Sequence, residues 1–210
     1  MDNWDNKVPN SANEGSAAAD IEEKVKKGRM ELFDWVSCFV VAILVVVLIF
    51  VFVGRTIDVD GRSMLQTLHH SDRVIMSNLL YTPRNGDIIV FSSPVEQFDG
   101  ISLVKRIIAT AGQTIDMDFY TGNVFIDGNL LYEPYINVPT TDRYDFVGPM
   151  QIPYGYVFVM GDNRGNSTDS RDSILGLVDT RHILGRVHFI LFPGIDDFGH
   201  RDFSRIGLIN

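Results

Sequence analysis

Beyond the apolar run that ends near Val53, the chain carries thirteen basic residues, and only one of them, Lys105, is a lysine. It lies in Ile101-Ser-Leu-Val-Lys-Arg-Ile-Ile108; the other twelve, Arg55 through Arg205, are arginines. Arginine stays protonated in proteins, whereas lysine can give up its proton when its surroundings are dry. A general bias towards arginine does not account for the pattern, because Lys7, Lys24, Lys26 and Lys27 precede the apolar run beside a single Arg29. A neutral lysine amine in an apolar strand is a general base, and a serine hydroxyl is what such a base activates. The segment Val59-Asp-Gly-Arg-Ser-Met-Leu-Gln-Thr-Leu68 offers Ser63 for that role. The same residues also fit a turn serine and a lysine whose stem covers the core while its amine reaches water. The residue types alone leave both readings open.

Base chemistry sets a condition on the strand that carries Lys105. At an ordinary pKa of about 10.4, only about one lysine in 2,500 is neutral at pH 7, so burial has to lower that value by several units. Alternation puts Ile101, Leu103, Lys105, Ile107 and Ala109 on one face and Ser102, Val104, Arg106 and Ile108 on the other. Both faces are largely apolar and each holds one base, so at least one of Lys105 and Arg106 sits against hydrophobic neighbours. A second polar cluster follows a strand in Tyr156-Val-Phe-Val-Met-Gly-Asp-Asn-Arg-Gly-Asn-Ser-Thr-Asp-Ser-Arg171. Read blandly, Asp162-Asn163-Arg164 is a turn, and Asp169 with Arg171 is a surface ion pair of little energetic weight.

The elements that must position these groups are legible from composition. Residues 1–30 read as a charged, disordered tail, with Ile21 to Asp34 turning helical, and residues 31–54 as an anchor helix. The nineteen residues Trp35–Val53 are interrupted only by Ser37. As a helix they reach about 28 Å, close to the thickness of a bilayer core. Lys24, Lys26, Lys27 and Arg29 before the run, against Arg55 alone just after it, predict a cytoplasmic N-terminus and an extracytoplasmic domain at 55–210. That domain has the texture of short β-branched runs broken by Gly, Pro, Asn and Asp. Strands are expected at Thr56–Val59, Arg73–Asn78, Asp87–Phe91, Ser102–Ala109, Thr114–Phe119, Asn123–Ile126, Tyr156–Met160 and Ile183–Phe192, with an Asp-Gly hairpin turn after Ile126. The fold class is therefore mostly β: an antiparallel sheet domain on a single N-terminal transmembrane helix. Residues 55–210 hold thirteen basic and nineteen acidic residues, a net charge of −6, which argues against nucleic acid as a partner. Cys38, the single cysteine, lies in the apolar run and excludes intrachain disulfides and thiolate metal sites. No HExxH pattern occurs, and neither metal nor cofactor is expected.

Four segments in this order and spacing resemble the type I signal peptidases: Gly61-Arg-Ser63-Met-Leu-Gln-Thr-Leu68, Gly86-Asp-Ile-Ile-Val-Phe91, Val104-Lys105-Arg106 and Gly161-Asp-Asn-Arg-Gly-Asn-Ser-Thr-Asp-Ser-Arg171. The similarity spans roughly residues 30–192 and takes in the preceding anchor. It implies a compact, Gram-positive-like membrane-bound serine endopeptidase that removes signal peptides from secretory precursors, with the lipid bilayer as its other partner. By the same resemblance, Ser63 matches the nucleophile, Lys105 the general base and Ser167 the hydroxyl that orients the lysine amine. Asp162, Asp169 and Arg171 match the supporting scaffold, with Arg106 an ion partner. Ile57, Val59, Met64, Leu68, Val74, Val90, Leu103 and Val104 match the lining of two shallow apolar pockets for small side chains.

The chain departs from the family pattern at Gln66, where proline is usual. Gly61 also stands where some relatives have a serine that assists the oxyanion hole, leaving the Ser63 backbone N–H and an unassigned second donor. Two enzymatic alternatives are weaker. A Ser-His-Asp triad would have to draw on His69, His70, His182, His188 or His200, none of which has a motif around it. A self-cleaving repressor-type Ser-Lys peptidase would lack the anchor and carry a DNA-binding helix pair. The alternative outside enzymology is a catalytically silent, membrane-tethered β-domain that binds exported polypeptides.

Overall fold

Alanine-rich and charged helix formers run directly into the apolar segment, and the result is one helix, α1, Ser11–Phe52. The computed structural model describes residues 11–52, 54–98, 100–196 and 199–209. The helix starts at Ser11, so residues 11–20 of the expected disordered tail are helical, while residues 1–10 and Val53 lie outside the described residues. Within α1, Lys26–Leu48 is a 23-residue stretch of mean hydropathy 2.3, long and apolar enough to cross a membrane. Its large side chains, Trp35, Phe39 and Leu44 among them, are exposed. A continuous apolar surface of that kind fits a single-pass membrane protein. Residues 1–50 and 51–210 form separate units.

Every strand pair in the second unit is antiparallel. Its strands are β1 (Arg55–Asp58), β2 (Arg73–Ser77), β3 (Ile88–Ser92), β4 (Ser102–Thr110), β5 (Thr114–Asp118), β6 (Asn123–Ile126), β7 (Asn129–Leu130), β8 (Met150–Gln151), β9 (Tyr156–Met160), β10 (Val178–Asp179), β11 (Ile183–Phe192) and β12 (Gly207–Leu208). The larger sheet runs β1-β2-β11-β3-β4-β9-β10, with β12 on β11, and the smaller runs β7-β6-β5-β8. All eight strands expected from sequence are present, with ends displaced by at most one residue. β7, β8, β10 and β12 are two-residue strands with no pattern long enough to read. The Asp-Gly hairpin forms as expected, pairing Ile126 with Asn129 across Asp127 and Gly128, both at positive φ.

β4 is the strand that matters for the site. It lies between β3 and β9, and every residue from Val104 to Ala109 is buried. Coverage on both faces is what a near-continuous apolar run produces, in place of a half-exposed alternation. A register shift between Ile107 and Ala109 divides its apolar residues among three clusters. Val104 joins Met64, Leu68 and Val90; Ile107 joins Ile89 and Phe91; Ile108 and Ala109 join Ile115 and Phe158. The two bases on this strand are both held inside: Lys105 is 4% exposed and Arg106 2%.

Candidate active site

β1 ends at Asp58, and the loop that follows is pinned at its neck by Val59 N–H donating to the Asp72 carbonyl at 2.8 Å and Ser71 N–H donating to the Val59 carbonyl at 2.7 Å. Met64 and Leu68 are joined by a backbone hydrogen bond of 2.8 Å and drop their side chains into the core. Ser63 sits just before that turn, only partly buried. The peptide bond preceding Gln66 is cis.

Lys105 Nζ lies 2.6 Å from Ser63 Oγ. Burial lowers the amine from its ordinary 10.5 to about 8, against the opposing pull of the Asp169 and Asp162 carboxylates. At about 8, roughly one lysine in eleven is neutral at pH 7, a population more than a hundred times that of an exposed amine. Neither carboxylate is free to form an ion pair with the lysine. Asp162 is held by Arg106 through two bonds of 2.8 Å, and Asp169 by Arg171 through two bonds of 2.9 Å. The bland reading of Asp169 and Arg171 as a surface pair is overturned, since both side chains are fully buried. Arg164 is likewise no turn residue exposed to water: it is buried, bonded to Glu133 and to Thr140 Oγ1.

The polar loop grips the serine loop through its backbone. Asn163 N–H donates to the Ser63 carbonyl at 3.0 Å, and Asn163 Nδ2 donates to the Arg62 carbonyl at 3.0 Å. Thr67 Oγ1 donates to Asp162 Oδ2 at 2.5 Å. Gly161 is the crossing point, because a Cβ built there would overlap both Ser167 Oγ and the Ser63 carbonyl oxygen. Ser167 is brought to this point, but its hydroxyl has no hydrogen-bond partner among the described residues, so the contact to the lysine amine implied by the resemblance is not formed.

Of the eight residues expected to line the apolar pockets, Val59, Met64, Leu68, Val74, Val90 and Val104 form one buried cluster with Ile57 packed against it. Leu103 is separated from them and packs with Ile89, Phe91 and Ile107. The residues that sequence reasoning did not single out are Thr67, Asp72, Glu133, Asn163 and Arg205. Asp72 is fully buried and takes two bonds from the Arg205 guanidinium, which also donates to the Thr67 carbonyl. Separation of 133 residues between these partners left no local signal to find them.

The histidines do not assemble a competing site. Ser77 Oγ and His188 Nε2 are 2.9 Å apart, but Asp87, the carboxylate that acts on this ring, is occupied by Tyr81, the Arg84 N–H and Arg186. Cavities of about 160 Å³ beside Tyr156 and His182 and about 210 Å³ beside Arg84 and His188 are lined by none of the residues around Ser63. No cluster suited to a metal ion occurs among the described residues.

The chain is similar in sequence to known proteins. A family model described as signal peptidase, peptidase S26, matches residues 32–192. A signal peptidase I of Bacillus licheniformis is 33% identical over 183 residues, covering 82% of this chain and 95% of that protein. Signal peptidase I T of Bacillus subtilis (strain 168) is 34% identical over 183 residues, covering 82% and 91%. A crystal structure of a signal peptidase I from Enterococcus faecalis V583 superposes with a TM-score of 0.41 at 30% identity, over 50% of this chain and 97% of that one. The chain belongs to the signal peptidase family, peptidase S26, and is a serine endopeptidase.

Proposed function

We propose that the chain cleaves N-terminal signal peptides from exported precursors after small residues, with Ser63 as nucleophile and Lys105 as general base. The observation that carries this reading is the 2.6 Å contact between Ser63 Oγ and a buried amine that titrates near 8. The neutral amine takes the hydroxyl proton as Oγ attacks the scissile carbonyl carbon. The resulting ammonium gives that proton to the departing amine, and an acyl ester on Ser63 remains. Lys105 then takes a proton from water as the water attacks the ester, and returns it to Oγ when the mature chain's partner, the signal peptide, leaves. The Ser63 backbone N–H stabilises the oxyanion. Asp162, Asp169, Arg106 and Arg171 hold the frame without touching the substrate. The substrate enters as an extended strand, with small side chains at −3 and −1 received by the apolar surface around Ile57, Val59, Met64 and Val104.

Detergent-solubilised protein incubated with a secretory precursor bearing Ala-X-Ala should release a chain whose new N-terminus follows the second alanine. Intact precursor, with folding of the protein confirmed by circular dichroism, would remove the peptidase reading and leave the polypeptide-binding alternative. The reading also requires residues 55–210 to be extracytoplasmic. Protease added outside intact protoplasts should digest this domain and spare the N-terminal 30 residues; protection of the C-terminal domain would refute the topology.

A further inference from the structure

Residues 131–149, between β7 and β8, engage each of the three fully buried arginines around the site. The Tyr135 ring lies 3.9 Å from the Arg106 guanidinium, Glu133 binds Arg164, and the Asp142 carbonyl accepts from Arg171 Nη1 at 2.9 Å. Within this strap stands Tyr144, a bulky residue at φ 52, in the left-handed region that side chains other than glycine, asparagine and aspartate rarely occupy. Strained backbone of this kind persists only where the surroundings impose it. Two contacts do so here. The Tyr144 ring packs 5.0 Å from the Arg171 guanidinium, and its hydroxyl donates to the Ser167 carbonyl at 3.2 Å.

We propose that Tyr144 is a positioning residue, which fixes the Ser167 peptide so that the buried Ser167 hydroxyl is pressed against Gly161 and the Ser63 backbone beyond it. The proposal rests on the peptidase reading above. Its steps are contacts on the page: Tyr144 to Ser167, Ser167 to Gly161, and Gly161 to the Ser63 carbonyl. The charged groups around Lys105 are Asp162 and Asp169 with their partners Arg106 and Arg171. Loosening Ser167 admits water beside this group. A wetter amine keeps its proton to higher pH, so the damage reaches the base as well as the nucleophile.

Tyr144→Phe keeps the ring on Arg171 and removes only the hydroxyl. Its kcat on the Ala-X-Ala precursor should fall about 10-fold, the worth of one hydrogen bond, with KM unchanged. The midpoint of the rise of kcat/KM with pH should move upward from the wild-type value. Tyr144→Gly suits the left-handed backbone and so keeps the fold, yet loses both contacts, and its kcat should fall further, about 100-fold. Wild-type kcat and pH midpoint in Tyr144→Phe would overturn the proposal. So would a fall in kcat that tracks a lowered Tm with no movement of the pH midpoint, which is the mark of a purely structural residue. Wild-type protein run alongside separates the two ideas: if it leaves the precursor intact, the peptidase reading fails and takes this one with it.

Discussion

Lys105→Arg is expected to leave folded, membrane-inserted protein with precursor cleavage reduced on the order of 10³-fold or more, as low as Lys105→Ala and Ser63→Ala. The substitution keeps the positive charge and most of the stem, so a lysine serving only as charge or as cover for the core would tolerate it. Guanidinium stays protonated at any workable pH and cannot accept the Ser63 proton across the 2.6 Å contact. Because a permanent charge at a 4% exposed position also strains the fold, Lys105→Met is the companion variant. In the folded protein the amine titrates near 8, and in the unfolded chain near its ordinary 10.5, so the unfolded state binds the extra proton between those values. Stability therefore rises with pH across that window, and the cost of burying the charge is present in full below pH 8. Lys105→Met should accordingly be inactive and, at pH 7, more stable than wild type by up to about 3 kcal/mol. A folded Lys105→Arg protein with substantial turnover would send the search for a base back to the histidines.

The second large effect concerns the ion pair beside Lys105. Arg106 and Asp162 have side-chain exposures of 2% and 0%. Their attraction has to offset the desolvation of both ions, and removing one strands the other. Asp162→Asn leaves Arg106 charged and uncompensated beneath Tyr135, and should destabilise the domain by about 3–5 kcal/mol. For a domain of this size that lowers Tm by roughly 10 °C. Arg106→Met combined with Asp162→Leu removes both charges and should recover most of that loss. The double variant should still have a lowered kcat, because Thr67 Oγ1 loses its 2.5 Å acceptor and the serine loop its anchor. Thermal melts of the single and double variants check the first half, and precursor cleavage checks the second. An Asp162→Asn protein as stable as wild type would show that the pair contributes nothing to the fold.

The candidate site was legible in the sequence because its polar residues are concentrated in short segments. Lys105 stood out as the one basic side chain able to become neutral in an arginine-rich domain, and an apolar strand showed that it would be dry. The eight longer strands were legible because runs of four or more β-branched and apolar residues bounded by turn residues outweigh local ambiguity. What stayed hidden is of two kinds. Two-residue strands such as β8 and β10 exist only because a neighbour pairs with them, so no periodicity marks them. Ion pairs between distant segments, Asp72 with Arg205 and Glu133 with Arg164, depend on tertiary contact and look like surface charge in one dimension. Arg164 is the instructive case. Asp162-Asn163-Arg164 has the composition of an exposed turn, and only the strap at 131–149 turns that loop into interior.

The lysine itself can be watched directly. The chain has five lysines, and four of them, Lys7, Lys24, Lys26 and Lys27, lie before residue 55, so Lys105 gives the single lysine signal of residues 55–210. NMR of detergent-solubilised protein labelled with ¹³C at lysine Cε, followed from pH 6 to 11, should show a resonance that titrates near 8 and is absent from Lys105→Met. The rise of kcat/KM with pH in the same samples should share that midpoint. A Lys105 resonance that titrates at its ordinary 10.5, or an activity profile whose midpoint lies in the histidine range, would contradict Lys105 as the base that activates Ser63.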